Sequence, residues 1–117
     1  MDAGWTVEQY RFPNGQTPYE AFLRALSDDA RGEALALQRL LQRVHAPKEP
    51  QSKALGGGLF ELRGARYGVR IFYVFRPGRR VVILDGFVKK RQDIPPVVLR
   101  LMRKYKANLE SNDESKV

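Results

Sequence analysis

Leu59-Phe60-Glu61-Leu62-Arg63, then Val69-Arg70-Ile71-Phe72-Tyr73-Val74-Phe75, then Val81-Val82-Ile83-Leu84-Asp85-Gly86-Phe87-Val88-Lys89-Lys90-Arg91 decide the fold of this chain. Each begins as a strand-length run rich in β-branched and aromatic residues, and Gly or Pro separates it from the next. In the first run, Phe60 and Leu62 fall on one face, with Leu59, Glu61 and Arg63 on the other. In the second, Val69, Ile71, Tyr73 and Phe75 make one unbroken apolar face, opposite Arg70, Phe72 and Val74. Arg76-Pro77-Gly78-Arg79 fits a tight turn, because Pro presets φ and Gly accepts a positive φ, so the second and third runs form a hairpin.

Upstream, Ala46 to Gly58 contains Pro47, Pro50 and Gly56-Gly57-Gly58 and reads as a loop. Before it, Ala30, Ala34, Leu37, Leu41 and Val44 recur at helical spacing, with Ser27 as N-cap and Asp28 and Asp29 in the first turn. A shorter helix precedes this one. Thr17-Pro18-Tyr19-Glu20 matches a capping box, and Tyr19, Phe22, Leu23 and Leu26 supply one face. Trp5 to Phe12 reads as a first strand. Downstream, Asp93 is placed to cap a last helix with Pro95 and Pro96 in its first turn and Val98, Leu101, Met102, Tyr105 and Leu109 on its buried side. The order β-α-α-β-β-β-α predicts an α+β fold: a small antiparallel sheet, two N-terminal helices on one face, the other face partly open, and a C-terminal helix. Residues 1–109 form a single domain, and 110–117 read as a frayed polar tail.

Charge is distributed unevenly. Met1 to Gly58 carries 7 basic and 7 acidic residues, whereas Leu59 to Leu109 carries 13 basic residues against three acidic ones, which more than accounts for the chain's net +8. So concentrated a field suits a polyanion, most often nucleic acid. There is no cysteine, which excludes disulfides, thiolate metal sites and a Cys nucleophile. His45 is the only histidine, which excludes a paired-histidine ribonuclease and a multi-histidine metal site; it reads as a helix C-terminal residue. No phosphate-loop or nucleophile-elbow motif occurs. The first residues carry neither a basic nor an apolar leader pattern, and no apolar run approaches membrane-spanning length, so the expected location is the cytoplasm.

Arg70, isolated in an apolar strand, must reach water or a partner. Two readings stay open: it opens into a concave site, or it pairs with Glu61 or Asp85. Arg63, Lys89 and Lys90 stand where a cationic cup for phosphates would form around it. Tyr67 is the best placed exposed aromatic for stacking on a base, with Arg66, Arg79, Arg80 and Arg91 as further RNA contacts. Direct DNA binding is disfavoured, because the cations lie on strands rather than on a recognition helix.

These three runs resemble the signature of RelE/HigB-type toxins. More narrowly, they resemble the phage-derived HigB-like branch, which reads roughly L-[WF]-E-L-R, R-[IV]-x-Y and L-L-H-G-F-x-K-K. The resemblance covers Leu59 to Tyr105 and, more loosely, the helices before it. It implies a compact ribosome-dependent endoribonuclease that cuts mRNA in the A site, without a cofactor or metal, as the toxin of a type II toxin–antitoxin system. It also implies a cognate antitoxin, usually a helix-turn-helix protein through which any contact with DNA is made. Carried over, the catalytic set is Arg70, Arg63, Lys90, Lys89 and Glu61. Asp85 stands at the usual histidine position, and prolines follow where RelE has its tyrosine, with Tyr105 farther on. The general base stays open between Glu61, Asp85 and a lysine of lowered pKa. A non-catalytic module that grips RNA or ribosome and blocks translation sterically is the alternative.

Overall fold

The computed structural model describes residues 5–44, 46–91 and 93–115, so the expectation for His45 lies outside the described residues. The elements are β1 (Thr6–Gln9), α1 (Pro18–Ala25), α2 (Asp28–Arg43), β2 (Ser52–Gly56), β3 (Leu59–Arg63), β4 (Val69–Arg76), β5 (Arg80–Val88) and α3 (Pro96–Ser115). They form a five-stranded sheet in the order β1-β5-β4-β3-β2. β2 to β5 make an antiparallel meander, and β1 joins parallel to β5. The α+β class holds.

β2 corrects the expected loop. Its sequence, Ser-Lys-Ala-Leu-Gly, has neither β-branched residues nor alternation, and its burial comes from pairing rather than propensity. The Ser52 hydroxyl lies 2.6 Å from the Tyr73 hydroxyl two strands away, and Gly56, Gly57 and Gly58 all take positive φ to turn the chain into β3.

Only one of the three expected helix caps forms. Ser27 caps α2, its Oγ accepting from the Ala30 N–H at 3.3 Å. Thr17 occupies the N-cap of α1 but makes no side-chain cap bond; Glu20 instead accepts from Gln9 Nε2 at 2.9 Å. α3 begins at Pro96, where the Pro95 carbonyl takes the Val98 N–H, so Asp93 lies outside the cap position.

Two cores sandwich the sheet. α1 and α2 set Tyr19, Leu23, Ala34, Leu37 and Leu41 against Leu62, Val69, Ile71, Tyr73, Val81 and Ile83. On the opposite face, Met102 and Tyr105 of α3, with Tyr10, cover Leu59, Phe72, Val74, Val82 and Leu84. That second face is therefore largely closed rather than open. Each fully buried large apolar side chain contributes on the order of 1.5–3 kcal/mol, so the second core is not a minor term. Leu101 is 39% exposed, off the stripe formed by Val98, Met102, Tyr105 and Leu109. Among the described residues no helix is long and apolar enough to cross a membrane.

The expected frayed tail is helical through Ser115. It is held by charge: Asp113 accepts from Arg76 Nε at 2.7 Å and from Arg80 Nη1 at 3.3 Å, and Arg80 also meets Glu8 at 3.2 Å. Lys106 and Arg76 share Glu110, at 2.8 and 3.5 Å. Burial alone would push the Asp113 carboxyl up, but the Arg76 hydrogen bond and the Arg80 charge outweigh it and hold it below its ordinary value. A carboxyl depressed in the folded state stabilises above its unfolded pKa, and the contribution disappears as pH falls through the folded value. Asp113→Asn is therefore expected to lower the thermal midpoint at pH 7, with the difference from the parent vanishing by pH ~2. A difference unchanged at acid pH would show that the charge network does not hold the helix.

Candidate functional site

Sheet register builds the site in two adjacent rungs. Glu61 of β3, Phe72 of β4 and Asp85 of β5 stand opposite one another, and Arg63, Arg70 and Phe87 form the next rung. Directly paired residues share a face, so these side chains lie together. Asp85 and Phe87 reach that face only because of a bulge: Phe72 pairs with Asp85 but Tyr73 with Ile83, leaving Leu84 as an extra residue. Simple alternation from Val82 and Leu84 would send Asp85 and Phe87 to the other side.

Arg70 resolves in favour of the ion pair, and its partner is Glu61 rather than Asp85. Its side chain is only 11% exposed, with Nε 3.8 Å from Glu61 Oε2 and Nη1 donating to the Val69 carbonyl at 3.0 Å and the Gly64 carbonyl at 3.4 Å. Arg63, 36% exposed, approaches the same carboxylate at 4.0 Å. Glu61 thus lies beneath two guanidiniums as their common counter-ion. Neither Glu61 Oε2 nor Arg70 Nε has a hydrogen-bond partner, and 3.8 Å is too long for one between them.

The β3–β4 loop brings the remaining cations in. Glu33 of α2 accepts from the N–H groups of Arg66 (2.8 Å), Tyr67 (3.0 Å) and Val69 (3.2 Å). At Gly68, with φ +73°, a Cβ would collide with the Lys89 carbonyl, and its own carbonyl accepts the Lys89 N–H at 2.7 Å. Arg66 and the exposed Tyr67, linked by a cation–π contact at 6.0 Å, therefore sit beside Lys89. The exposed Lys90 and Arg91 follow directly. Sequence reasoning missed Glu33, because nothing in a helical acid reveals which loop it will meet.

Arg79 and Arg80 do not join this cluster. They lie at the turn end of the hairpin, eight residues along β5 from Val88, or roughly 27 Å for an extended strand. Arg80 is already engaged by Glu8 and Asp113. The structure thus places Arg79 and Arg80, expected among the RNA contacts, away from Arg63 and Arg70.

Asp85 and Tyr105 bring in groups that can hold a proton. Burial pushes the Asp85 carboxyl up, partly offset by the hydrogen bond it accepts from the Gly86 N–H at 2.7 Å. The Tyr105 phenol is also raised, by burial first and then by the Asp85 charge and Tyr10. Its ring stacks on Tyr10, with centroids 4.7 Å apart, and meets Phe12 edge-on. Tyr105, remote in sequence, is thus near Asp85 in space. Among the described residues no cluster of three or more His, Asp or Glu side chains could hold a metal ion.

The fold, a sheet covered by helices on both faces, is of the RelE type. The chain is similar to the Escherichia coli RelBE toxin–antitoxin complex (13% identity, 74% of this chain and 99% of that one, TM-score 0.53). It is likewise similar to the archaeal RelE–RelB complex of Pyrococcus horikoshii (16%, 76% and 99%, 0.52) and to the isolated E. coli RelE toxin (13%, 86% and 97%, 0.53). These likenesses establish the RelE-like fold. Residues 21–106 match the family model described as phage derived protein Gp49-like, and the chain belongs to that family. None of the curated proteins matches the sequence.

Two outcomes test the site's electrostatics. The folded state holds the Asp85 proton more tightly than the unfolded chain, so ionisation weakens the fold as pH rises from ~3.9 through the raised folded value. Asp85→Asn, which keeps an acceptor for Gly86, is expected to exceed the parent's urea midpoint at pH 7 and to lose that advantage below pH ~4. Glu61→Ala, which leaves Arg70 buried without its counter-ion, should cost about 3 kcal/mol in urea unfolding. A loss under ~0.5 kcal/mol would mean that water already serves Arg70.

Proposed function

We propose that this chain is the toxin of a type II toxin–antitoxin pair, of the HigB-like kind, and acts in the cytoplasm as a ribosome-dependent endoribonuclease on mRNA. The observation that carries the reading is the Arg63–Arg70 rung beside Asp85, at the cation-rich end of a RelE-type sheet. Its partners are the ribosome, the mRNA and a cognate antitoxin, with DNA reached only through the antitoxin.

The chemistry is attack by the RNA's own 2′-OH on the adjacent phosphorus, with expulsion of the 5′-oxygen and formation of a 2′,3′-cyclic phosphate. Arg63, the more exposed guanidinium, takes the phosphate oxygens, and Arg70 and Lys89 add positive charge behind it. Lys90, Arg66, Arg91 and Tyr67 hold the flanking strand by charge and stacking. Glu61 is too buried to reach a 2′-OH and acts by positioning both arginines. Asp85, beside the guanidinium rung, takes the proton of the attacking 2′-OH, and water protonates the departing 5′-oxygen. The ribosome supplies in-line geometry, so the isolated protein leaves free RNA uncut.

Arg63→Ala should reduce cleavage in a translating extract about a hundred- to thousandfold, or ~3–4 kcal/mol of barrier, as mapped by primer extension on ribosome-bound mRNA. Cleavage unchanged by this substitution would remove Arg63 from the reaction. A second reading, steric blockade without cutting, has one observation in its favour: Arg70 is largely enclosed and engaged by Glu61 and two carbonyls. Arrested synthesis with intact mRNA would establish that reading in place of the first.

A further inference from the structure

β5 outruns its outer neighbour. β1 pairs with it only from Arg80 to Ile83, ending where the Tyr10 N–H meets the Ile83 carbonyl at 2.7 Å. Beyond that point Asp85–Val88 is bonded to β4 on one side and faces a groove of about 560 Å³ on the other. Phe22, Ala25 and Leu26 of α1 form the apolar wall, and Lys90 and Arg91 stand at its rim with one acid, Asp93.

Alternation fixes which backbone groups look into the groove. Lys89 donates to Gly68, on the β4 side, so Phe87 in step with it also bonds β4, and Gly86 and Val88 turn their N–H and C=O groups outward. Asp85 Oδ1 takes the Gly86 N–H. The Gly86 carbonyl and both backbone groups of Val88 are left facing a side on which the described residues place no strand. Gly86 is bare for a reason: a Cβ there would collide with the Phe22 ring, which forms the groove wall.

We propose that this edge and groove are a docking site for an extended segment of a partner protein, in which acidic and apolar residues alternate. The segment adds as a strand along Gly86–Val88, seats an apolar side chain among Phe22, Ala25 and Leu26, and sets carboxylates against Lys90 and Arg91. An unpaired edge is a template for strand addition, with specificity supplied by pockets for alternate side chains. Lys90 and Arg91 outnumber Asp93 at the rim and favour acidic residues, and a second copy of this chain, itself at net +8, is electrostatically the wrong occupant. Because Lys90 and Phe87 border both the groove and the cationic cluster, an occupied groove competes with RNA for Lys90. That the partner is an antitoxin rests on the proposed toxin function; strand addition itself does not.

The test uses the full chain and a fluorescent ten-residue peptide of alternating valine and glutamate, with a ten-nucleotide oligouridylate as the competing probe. Peptide binding is expected with a dissociation constant near 100 µM, accompanied by new hydrogen-exchange protection at the Val88 amide. Ala25→Trp fills the groove from an exposed position on α1 and should weaken the peptide about tenfold while leaving oligouridylate binding unchanged. Val88→Pro, which deletes the outward N–H, should do the same. No peptide binding at 1 mM overturns the proposal. So does binding that ignores both variants, which is mere charge attraction, or a loss of oligouridylate rather than peptide binding in Ala25→Trp, which makes the groove an RNA slot. Peptide docking without any mRNA cleavage in extracts would leave this site standing and remove the endoribonuclease reading.

Discussion

Strand β4 has no solvent-facing side from Ile71 to Val74: Ile71 and Tyr73 lie under α1 and α2, and Phe72 and Val74 lie under α3. A strand buried on both faces cannot slip by one residue without exchanging two cores, so its register is strongly fixed. That fixed register determines where charge can go. Arg70 is the next residue in the Phe72–Val74 series and lies where the α3 core gives out, close enough to the surface to be solvated in part and deep enough to need Glu61. The site is thus a consequence of where the second core ends.

The bulge at Leu84 completes it. One inserted residue lets β5 feed Val82 and Leu84 into the core and then present Asp85 and Phe87 on the same face. The same change leaves Gly86 and Val88 turned toward α1, where the small side chain of one and the exposed edge of both open the groove. A single local irregularity therefore serves the cationic face and the groove at once, which couples whatever binds at either.

Charge is sorted along the hairpin. At the turn end, Arg76 and Arg80 are neutralised by Glu8, Glu110 and Asp113. At the other end, Arg63 and Arg70 share one carboxylate, and Lys89, Lys90, Arg66 and Arg91 gather around them. Cations occur along the whole stretch from Arg63 to Arg91, but the field they produce is not uniform. It is concentrated at the end where cations outnumber the neighbouring acids, which suits capture of a polyanion.

Sequence alone determined the class of the fold, the three helices, four of the five strands, the faces of β3 and β4, and thereby the side-by-side placement of Arg63 and Arg70. These follow from local propensity and periodicity, which a short window of residues carries in full. Tertiary structure decided the rest. It made a strand of Ser52–Gly56, held the last helix through Asp113, separated Arg79 and Arg80 from the site, chose Glu61 over Asp85 for Arg70, and brought Glu33 and Tyr105 to their places. Each of these depends on a partner distant in the chain. A pairing energy between remote groups leaves no periodic trace in the sequence; it exists only once the sheet has brought them together.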